Sequence, residues 1–195
     1  TDPEVVAEIG RHAELTPAQA MENVARGRFG PTLAPAVVKA WHEFSVAFSE
    51  FPYGGGLYST PMQTGPSNLL WEKPSGYAAT MVGFPYDDLD GWRAAYPADV
   101  FIGQFEKIAD GFDRAVVELK AAAKTVKLSS TEQRMFAEEL SVAEAAAVHF
   151  RSAANQSRFV QTRRKLAEVK NAEEAAPVLR TLEAALKNEI VLARK

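Results

Sequence analysis

Three aspartates stand close together in the middle of the chain, between two aromatic residues. Asp87, Asp88 and Asp90 lie next to Tyr86 and Trp92. Carboxylates beside aromatic rings are typical of sugar recognition, because a sugar stacks its C–H face on a ring while carboxylates accept its hydroxyl hydrogens. Glycoside cleavage also requires a pair of acids. The spacing does not give the distance between these carboxylates, so the pattern predicts binding and identifies no catalytic residue.

The same region admits plainer interpretations. Asp87 or Asp88 would cap a short turn, since aspartate is a favoured helix N-cap. Trp71 and Trp92 would serve either as stacking platforms or as buried anchors that hold the segment against helices. Asn68 ends a Gly-Pro-Ser-Asn turn sequence, where its amide would bind hydroxyls or stabilise the turn. The candidate substrate-binding residues are therefore Tyr86, Asp87, Asp88, Asp90, Trp92, Trp71 and Asn68, and the catalytic residues are unassigned.

These candidates lie in an irregular segment, residues 51–97, between two helical parts of the chain. The segment holds all five tyrosines, two of the three tryptophans and more than half of the prolines and glycines. A long irregular segment inside a helical domain is usually functional or disordered, and disordered segments are poor in aromatic residues. We therefore expect an ordered contact surface. The apolar composition of residues 77–83 favours a short strand there.

Helical periodicity surrounds the irregular segment on both sides. Residues 1–50 are expected to form N-terminal helices with a break around Gly30, and residues 98–195 to form three long helices. Long helices joined by short links pack antiparallel. The predicted fold class is mainly α: one domain over 1–195, an antiparallel helical bundle with a long aromatic- and Pro/Gly-rich irregular insertion.

Capping boxes, in which a short polar residue precedes Glu or Gln by three positions, predict helix starts at Thr1, at either Ser129 or Ser130, and at Asn171. The helix after Ser129 carries unusual polarity near its middle, with His149, Arg151, Asn155, Gln156 and Arg158. We expect polar side chains there to satisfy backbone groups of the irregular segment, because buried backbone groups need partners. The basic run at 163–165 has acids around it and is interpreted as a solvated helix face.

Composition argues against several kinds of site. The chain has no cysteine, and its three histidines fall in different predicted helices without ligand spacing, so no metal and no cofactor is expected. A net charge of −3 argues against nucleic acid as a partner. No apolar run is long enough to span a membrane, and no signal peptide is visible. Both ends look like parts of a longer chain, and the compartment and the oligomeric state are unassigned.

Several runs of sequence resemble one group of proteins. They are residues 40–52, 65–70, 79–92 and 143–156, which include the run Gly83-Phe84-Pro85-Tyr86-Asp87-Asp88-Leu89-Asp90-Gly91-Trp92. Together they resemble the C-terminal helical region of bacterial glycoside hydrolase-like proteins, whose catalytic domain is a TIM barrel missing from this chain. Catalytic groups in such enzymes lie at the ends of barrel strands, so the resemblance assigns no catalytic role here. It implies an accessory domain that supports the barrel and contacts its sugar substrate.

Three functions are compatible with these observations. The first is an accessory helical domain of a carbohydrate-active enzyme, with carbohydrate or the missing catalytic barrel as its partner. The second is a stand-alone helical interaction module that docks a protein through the aromatic segment, since interfaces are enriched in Tyr, Trp and Arg. The third is a self-sufficient enzyme that uses Asp87, Asp88 or Asp90.

Overall fold

The computed structural model describes residues 3–54 and 56–195. Of Leu57 it describes the backbone only. Within these residues the chain forms six α-helices: α1 (Pro3–Arg11), α2 (Pro17–Phe48), α3 (Leu89–Arg93), α4 (Ala98–Ala123), α5 (Ser130–Glu168) and α6 (Ala172–Leu192). Three short 3-10 helices lie at Leu57–Ser59, Pro61–Gln63 and Gly65–Ser67. The predicted mainly-α class, with a long irregular insertion, is confirmed.

The described residues contain no strand, so the strand favoured at residues 77–83 is wrong. Backbone groups of this stretch bond to side chains instead of to a neighbouring strand. The amide of Tyr77 donates to Ser75 Oγ at 3.3 Å, and the amide of Ala79 donates to Asp88 Oδ2 at 3.0 Å. These side-chain acceptors offer the backbone an alternative to a sheet ladder.

One compact unit comprises Thr1–Phe48 and Gly111–Ala145. Within it α2 kinks at Gly30, whose φ of 75° and ψ of 161° are not helical. The break predicted around Gly30 is therefore present as a kink. A buried core forms where α2 contributes Phe29, Leu33 and Val37, and α4 contributes Leu119. This unit carries none of the candidate binding residues.

A second compact unit comprises Ser49–Asp110 and Ala146–Lys195. Its core is built on aromatic rings, with Phe51 5.7 Å from Phe105 and 6.2 Å from Phe150 between ring centroids. These rings come from the start of the irregular segment, from α4 and from α5. The segment is therefore held at its first residue by the packing of two helices. The single-domain prediction over 1–195 stays a prediction.

Side-chain pairs show that α4 and α5 run antiparallel in the second unit. Gln161 donates to Asp99 at 2.8 Å, and Arg158 donates to Glu106 at 2.5 Å. Positions rise along α4 while their partners fall along α5, which is the arrangement expected for helices joined by a short link.

A capping box at Ser129, one of the two predicted positions, starts α5, and the predicted N-cap Asn171 starts α6. The amide of Ser129 donates to Glu132 Oε2 at 2.7 Å, and the amide of Glu132 donates to Ser129 Oγ at 3.3 Å. At α6 the amide of Glu174 donates to Asn171 Oδ1 at 2.9 Å. Each cap satisfies amides that the first helical turn leaves without partners. The cap predicted at Thr1 lies outside the described residues.

Candidate functional site

Four aromatic side chains, Trp71, Tyr77, Phe84 and Tyr86, cluster on the second unit, and we call them the aromatic surface. Tyr86 lies at the centre, with its ring centroid 5.0 Å from Tyr77, 6.1 Å from Trp71 and 6.2 Å from Phe84. Tyr77 is 64% exposed and Phe84 66%, while Trp71 and Tyr86 are half-buried. Contiguous exposed side chains of this size mark contact sites more often than isolated ones do.

The backbone at the centre of this surface is strained. Tyr86 has a φ of 48°, in the left-handed region that bulky side chains rarely adopt. Holding such a conformation costs about 1–3 kcal/mol and requires surrounding structure that fixes it. That structure is provided by the residue that follows, Asp87.

Asp87 is buried, and it joins two parts of the irregular segment to α5. Its carboxylate accepts from the amide of Ser75 at 3.1 Å, from the Ser75 hydroxyl, and from Arg163 Nη2 at 2.6 Å. Arg163 Nη1 also donates to the carbonyl of Trp71 at 2.5 Å. Burial would raise the pKa of the Asp87 carboxyl, but the hydrogen bonds from Ser75 and Arg163 bring it below its ordinary value. Asp87 is therefore ionised and acts as an internal tie.

Asp88 is the N-cap of α3, as one of the two interpretations predicted. Its Oδ1 accepts from the amide of Gly91 at 3.1 Å, and its Oδ2 accepts from the amide of Ala79 at 3.0 Å. One carboxylate thus starts a helix and also fixes a residue between Tyr77 and Phe84 of the aromatic surface.

Asp90 lies on the exposed side of α3 and pairs with two arginines. Its Oδ1 accepts from Arg93 Nε at 2.9 Å, and its Oδ2 accepts from Arg164 Nη1 at 2.7 Å. The Arg93 hydrogen bond, opposed by partial burial and reinforced by Arg164, lowers the pKa of this carboxyl. All three aspartates of the run are thus bonded to donors of the same chain.

Two of the other candidates are buried. Trp92 is 1% exposed, and its Nε1 donates to the carbonyl of Pro85 at 3.0 Å, which makes it an anchor of α3. Asn68 is buried and donates to Gln156 Oε1 at 2.6 Å and to the carbonyl of Tyr86 at 3.3 Å. Of the predicted binding residues, the structure brings Trp71 and Tyr86 together at the aromatic surface, and the assignment of binding roles stays a prediction.

A buried polar network under the segment joins α5 to α6. Gln156, fully buried, donates from Nε2 to the carbonyl of Gly65 at 2.8 Å and to Glu189 Oε1 at 3.3 Å. Glu189 also accepts from Asn155 at 3.1 Å and from the Ser152 hydroxyl. Burial raises the pKa of the Glu189 carboxyl, and these three hydrogen bonds oppose the rise only in part. The network fixes the 3-10 helix at Gly65 on which Asn68 depends.

Buried polar contacts between α5 and the segment come from Gln156 and from Arg163. Gln156 belongs to the polar group in which the sequence predicted such partners. The interpretation of Arg163 as part of a solvated face is wrong, because its side chain is only 10% exposed and pairs with Asp87. The polar group itself also ties helices together, through Arg151 to Asp110, Asn155 to Glu189 and Arg158 to Glu106.

Glu189 had no signal in the sequence, because it stands in an ordinary amphipathic helix among other charged residues. Among the described residues no group of three His, Cys, Asp or Glu side chains is placed to hold a metal ion. None of the described helices combines the length and the apolar character needed to cross a membrane.

No protein-family model, no curated protein and no solved structure matches the chain. The geometry of the site offers exposed aromatic faces over a rigid support, and its neighbouring carboxylates are already hydrogen-bonded. Such a surface suits stacking and apolar contact better than proton transfer, since a general acid or base must reach the reacting group.

Proposed function

We propose that the chain is a non-catalytic accessory module of a carbohydrate-active enzyme and that the aromatic surface is its contact surface. The observation that carries the proposal is the exposure of Tyr77 and Phe84, at 64% and 66%, on rings that pack around Tyr86. The resemblance of the sequence to the helical region of glycoside hydrolase-like proteins supports the class of enzyme.

The bonding of the three aspartates supports a role without catalysis. Asp87 is tied to Arg163, Asp88 caps α3, and Asp90 pairs with Arg93 and Arg164. Freeing Asp87 for chemistry would leave the Arg163 guanidinium buried without its counter-ion.

Two kinds of ligand fit the aromatic surface, a sugar chain and a protein face, and a different observation favours each. A sugar chain would stack on exposed rings such as Tyr77, because sugars present apolar C–H faces. A protein face, such as that of a catalytic barrel, is favoured by Met81 and Val82, which precede Phe84 in the sequence and are 63% and 91% exposed. Apolar side chains exposed together are typical of protein interfaces. A protein occupant outside any carbohydrate-active enzyme would make the chain a stand-alone interaction module.

The buried indole Nε1 of Trp71 also supports contact at this place. It has no hydrogen-bond acceptor among the described residues. An unsatisfied buried donor costs about 1–3 kcal/mol. A small shift on binding that brought an acceptor to this nitrogen would recover part of that free energy.

The test for a sugar is a titration of tryptophan fluorescence and of heat against a panel of mono- and oligosaccharides. We expect saturable binding of one sugar class by the wild type and its loss in Tyr77→Ala. Tyr58→Ala is the matched control, because Tyr58 is also 64% exposed but belongs to none of these ring contacts. Equal loss in both variants would exclude the aromatic surface as the sugar site.

The test for a protein is photo-crosslinking in the source cell with a crosslinking amino acid in place of Phe84, and separately in place of Tyr58. Crosslinks from position 84 to a carbohydrate-active catalytic domain, at a defined peptide, would support the accessory role. Crosslinks to an unrelated protein would leave the contact surface in place and overturn the enzyme class. No binding by any sugar and no specific crosslink would overturn the proposal.

A further inference from the structure

A cavity of about 530 Å³ lies in the second unit and shares no residue with the aromatic surface. Its walls include Glu106 from α4, Arg151 and Arg158 from α5, and Arg180 and Asn188 from α6. A volume of this size is within the range of small-molecule sites. Neither the candidate binding residues nor the proposed function accounts for it.

The cavity has more positive than negative side chains. Arg158 donates from Nε and Nη2 to Glu106 Oε1, at 3.2 and 2.5 Å, and Arg151 donates to Asp110 at 2.5 Å. Arg180, the third arginine, forms no ion pair with any described residue and is exposed. One positive charge is therefore left without a counter-ion even when Asp110, which is not in the wall, is counted.

Helix packing explains two of the three arginines. The pairs of Arg158 with Glu106 and of Arg151 with Asp110 connect α5 to α4. Pairs of this exposure stabilise a fold by about 0–1 kcal/mol, and they leave no role for Arg180. Arg180 comes from α6 and lies in the same cavity wall as the two paired arginines, so its position, unlike theirs, is not required by a salt bridge.

The donors in the wall suit an oxyanion. A guanidinium carries five N–H donors in a planar fork that matches phosphate and carboxylate groups. Arg158 uses two of its donors on Glu106, and the Arg180 fork and the Asn188 amide add further ones in the same wall. Pro177, Ala184 and Ala185 provide an apolar side. We propose that the cavity binds a small organic anion through a phosphate or carboxylate group, with Arg180 as the main contact.

The two sources of an oxyanion are distinguished by calorimetric titration of the whole chain with inorganic phosphate, phenyl phosphate and citrate. We expect at least one probe to bind saturably, and affinity to fall with added sodium chloride because the contact is between charges. Phosphate binding without citrate binding identifies a phosphate site, and the reverse identifies a carboxylate site. No saturable heat from any of the three probes at millimolar concentration would overturn the proposal.

Arg180→Gln is the deciding variant, and its exposure means that the fold should survive, as circular dichroism would check. A hydrogen bond to a charged group is worth about 1.5–3 kcal/mol, so the variant should bind the responding probe about tenfold more weakly or worse. Arg134→Gln is the matched control, since Arg134 is another exposed helical arginine with no ion pair among the described residues. Equal affinity loss in the two variants would mean that general positive charge, and not the cavity, attracts the anion, and would overturn the proposal.

Discussion

Asp87→Asn should release the aromatic surface from α5 while leaving the helices intact. The side chains of Asp87 and Arg163 are 6% and 10% exposed, so the variant would leave a buried guanidinium without its counter-ion. Removing one partner of a buried pair costs about 3–5 kcal/mol. Arg163 keeps its bond to the carbonyl of Trp71, and asparagine still accepts from Ser75. We therefore expect the lower end, about 3 kcal/mol.

Asp90→Asn is the matched control, with the same chemical change three residues further along. Asp90 also pairs with an α5 arginine, Arg164, but its side chain is 56% exposed. Exposed pairs contribute about 0–1 kcal/mol, so this variant should lose little stability.

Native-state hydrogen exchange, read on peptides that cover residues 71–91, measures the opening free energy of this part of the chain. The amide of Ser75 donates directly to Asp87 and should lose protection first. Urea unfolding followed by circular dichroism gives the free energy of unfolding of the helices, which should change less. If the opening free energy of residues 71–91 in Asp87→Asn were as high as in Asp90→Asn, Asp87 would not be the residue that ties this segment to α5.

The same pair gives a pH dependence with a definite sign. The pKa of Asp87 is lowered in the folded chain, so its stabilising contribution is fully present above its unfolded pKa, about 3.9. That contribution is lost as the pH falls through the lower, folded value. Protection of residues 71–91 in the wild type should therefore fall in acid, and the difference from Asp87→Asn should shrink over the same interval.

Two further predictions test the support beneath the surface. Burial raises the pKa of Glu189 in the folded chain, so as the pH rises this carboxyl ionises first in the unfolded chain. The wild type should therefore lose stability as the pH rises from about 4.5 through the folded pKa. Urea unfolding at several pH values should show this loss in the wild type and not in Glu189→Gln. Gly56→Ala should cost about 1–3 kcal/mol in the same assay, because its new Cβ would overlap the carbonyl oxygen of Gly91. Gly103→Ala, with open space in α4, should instead stabilise by about 0.5–1 kcal/mol, and a Gly56→Ala variant as stable as Gly103→Ala would contradict the close approach.

Local signals were enough to predict the long helices. The boxes at Ser129 and Asn171 place two helix starts, because a capping box involves only residues within one turn. The kink of α2 at Gly30 follows from a residue that adopts a positive φ without strain. Long apolar stripes at a spacing of 3.6 then specify helices without any knowledge of their neighbours.

The partners of the buried charges could not be predicted in this way. Arg163 stands between other polar residues on α5, and its counter-ion Asp87 is 76 positions away. Nothing within a helical turn distinguishes it from the solvated Arg164, and only the packing of the irregular segment buries one and exposes the other. Glu189 is similar, since its partner Ser152 is 37 positions away and on another helix. The sequence therefore located the irregular aromatic segment, while the roles of its charged residues depended on tertiary contacts.

The internal use of carboxylates also decides how the aromatic surface selects a partner. Asp87 pairs with Arg163, and Asp90 pairs with Arg93 and Arg164, so that together with Asp88 three carboxylates balance three guanidinium groups before any partner arrives. Long-range steering by charge is then weak, and the free energy of contact comes from burial of apolar area and from stacking, which salt affects little. The arginine-lined cavity is the reverse case, because Arg180 has no counter-ion among the described residues. Affinities measured at two salt concentrations therefore distinguish a ligand bound by the aromatic surface from one bound by the cavity. Added salt should weaken binding to the cavity and change binding to the aromatic surface little.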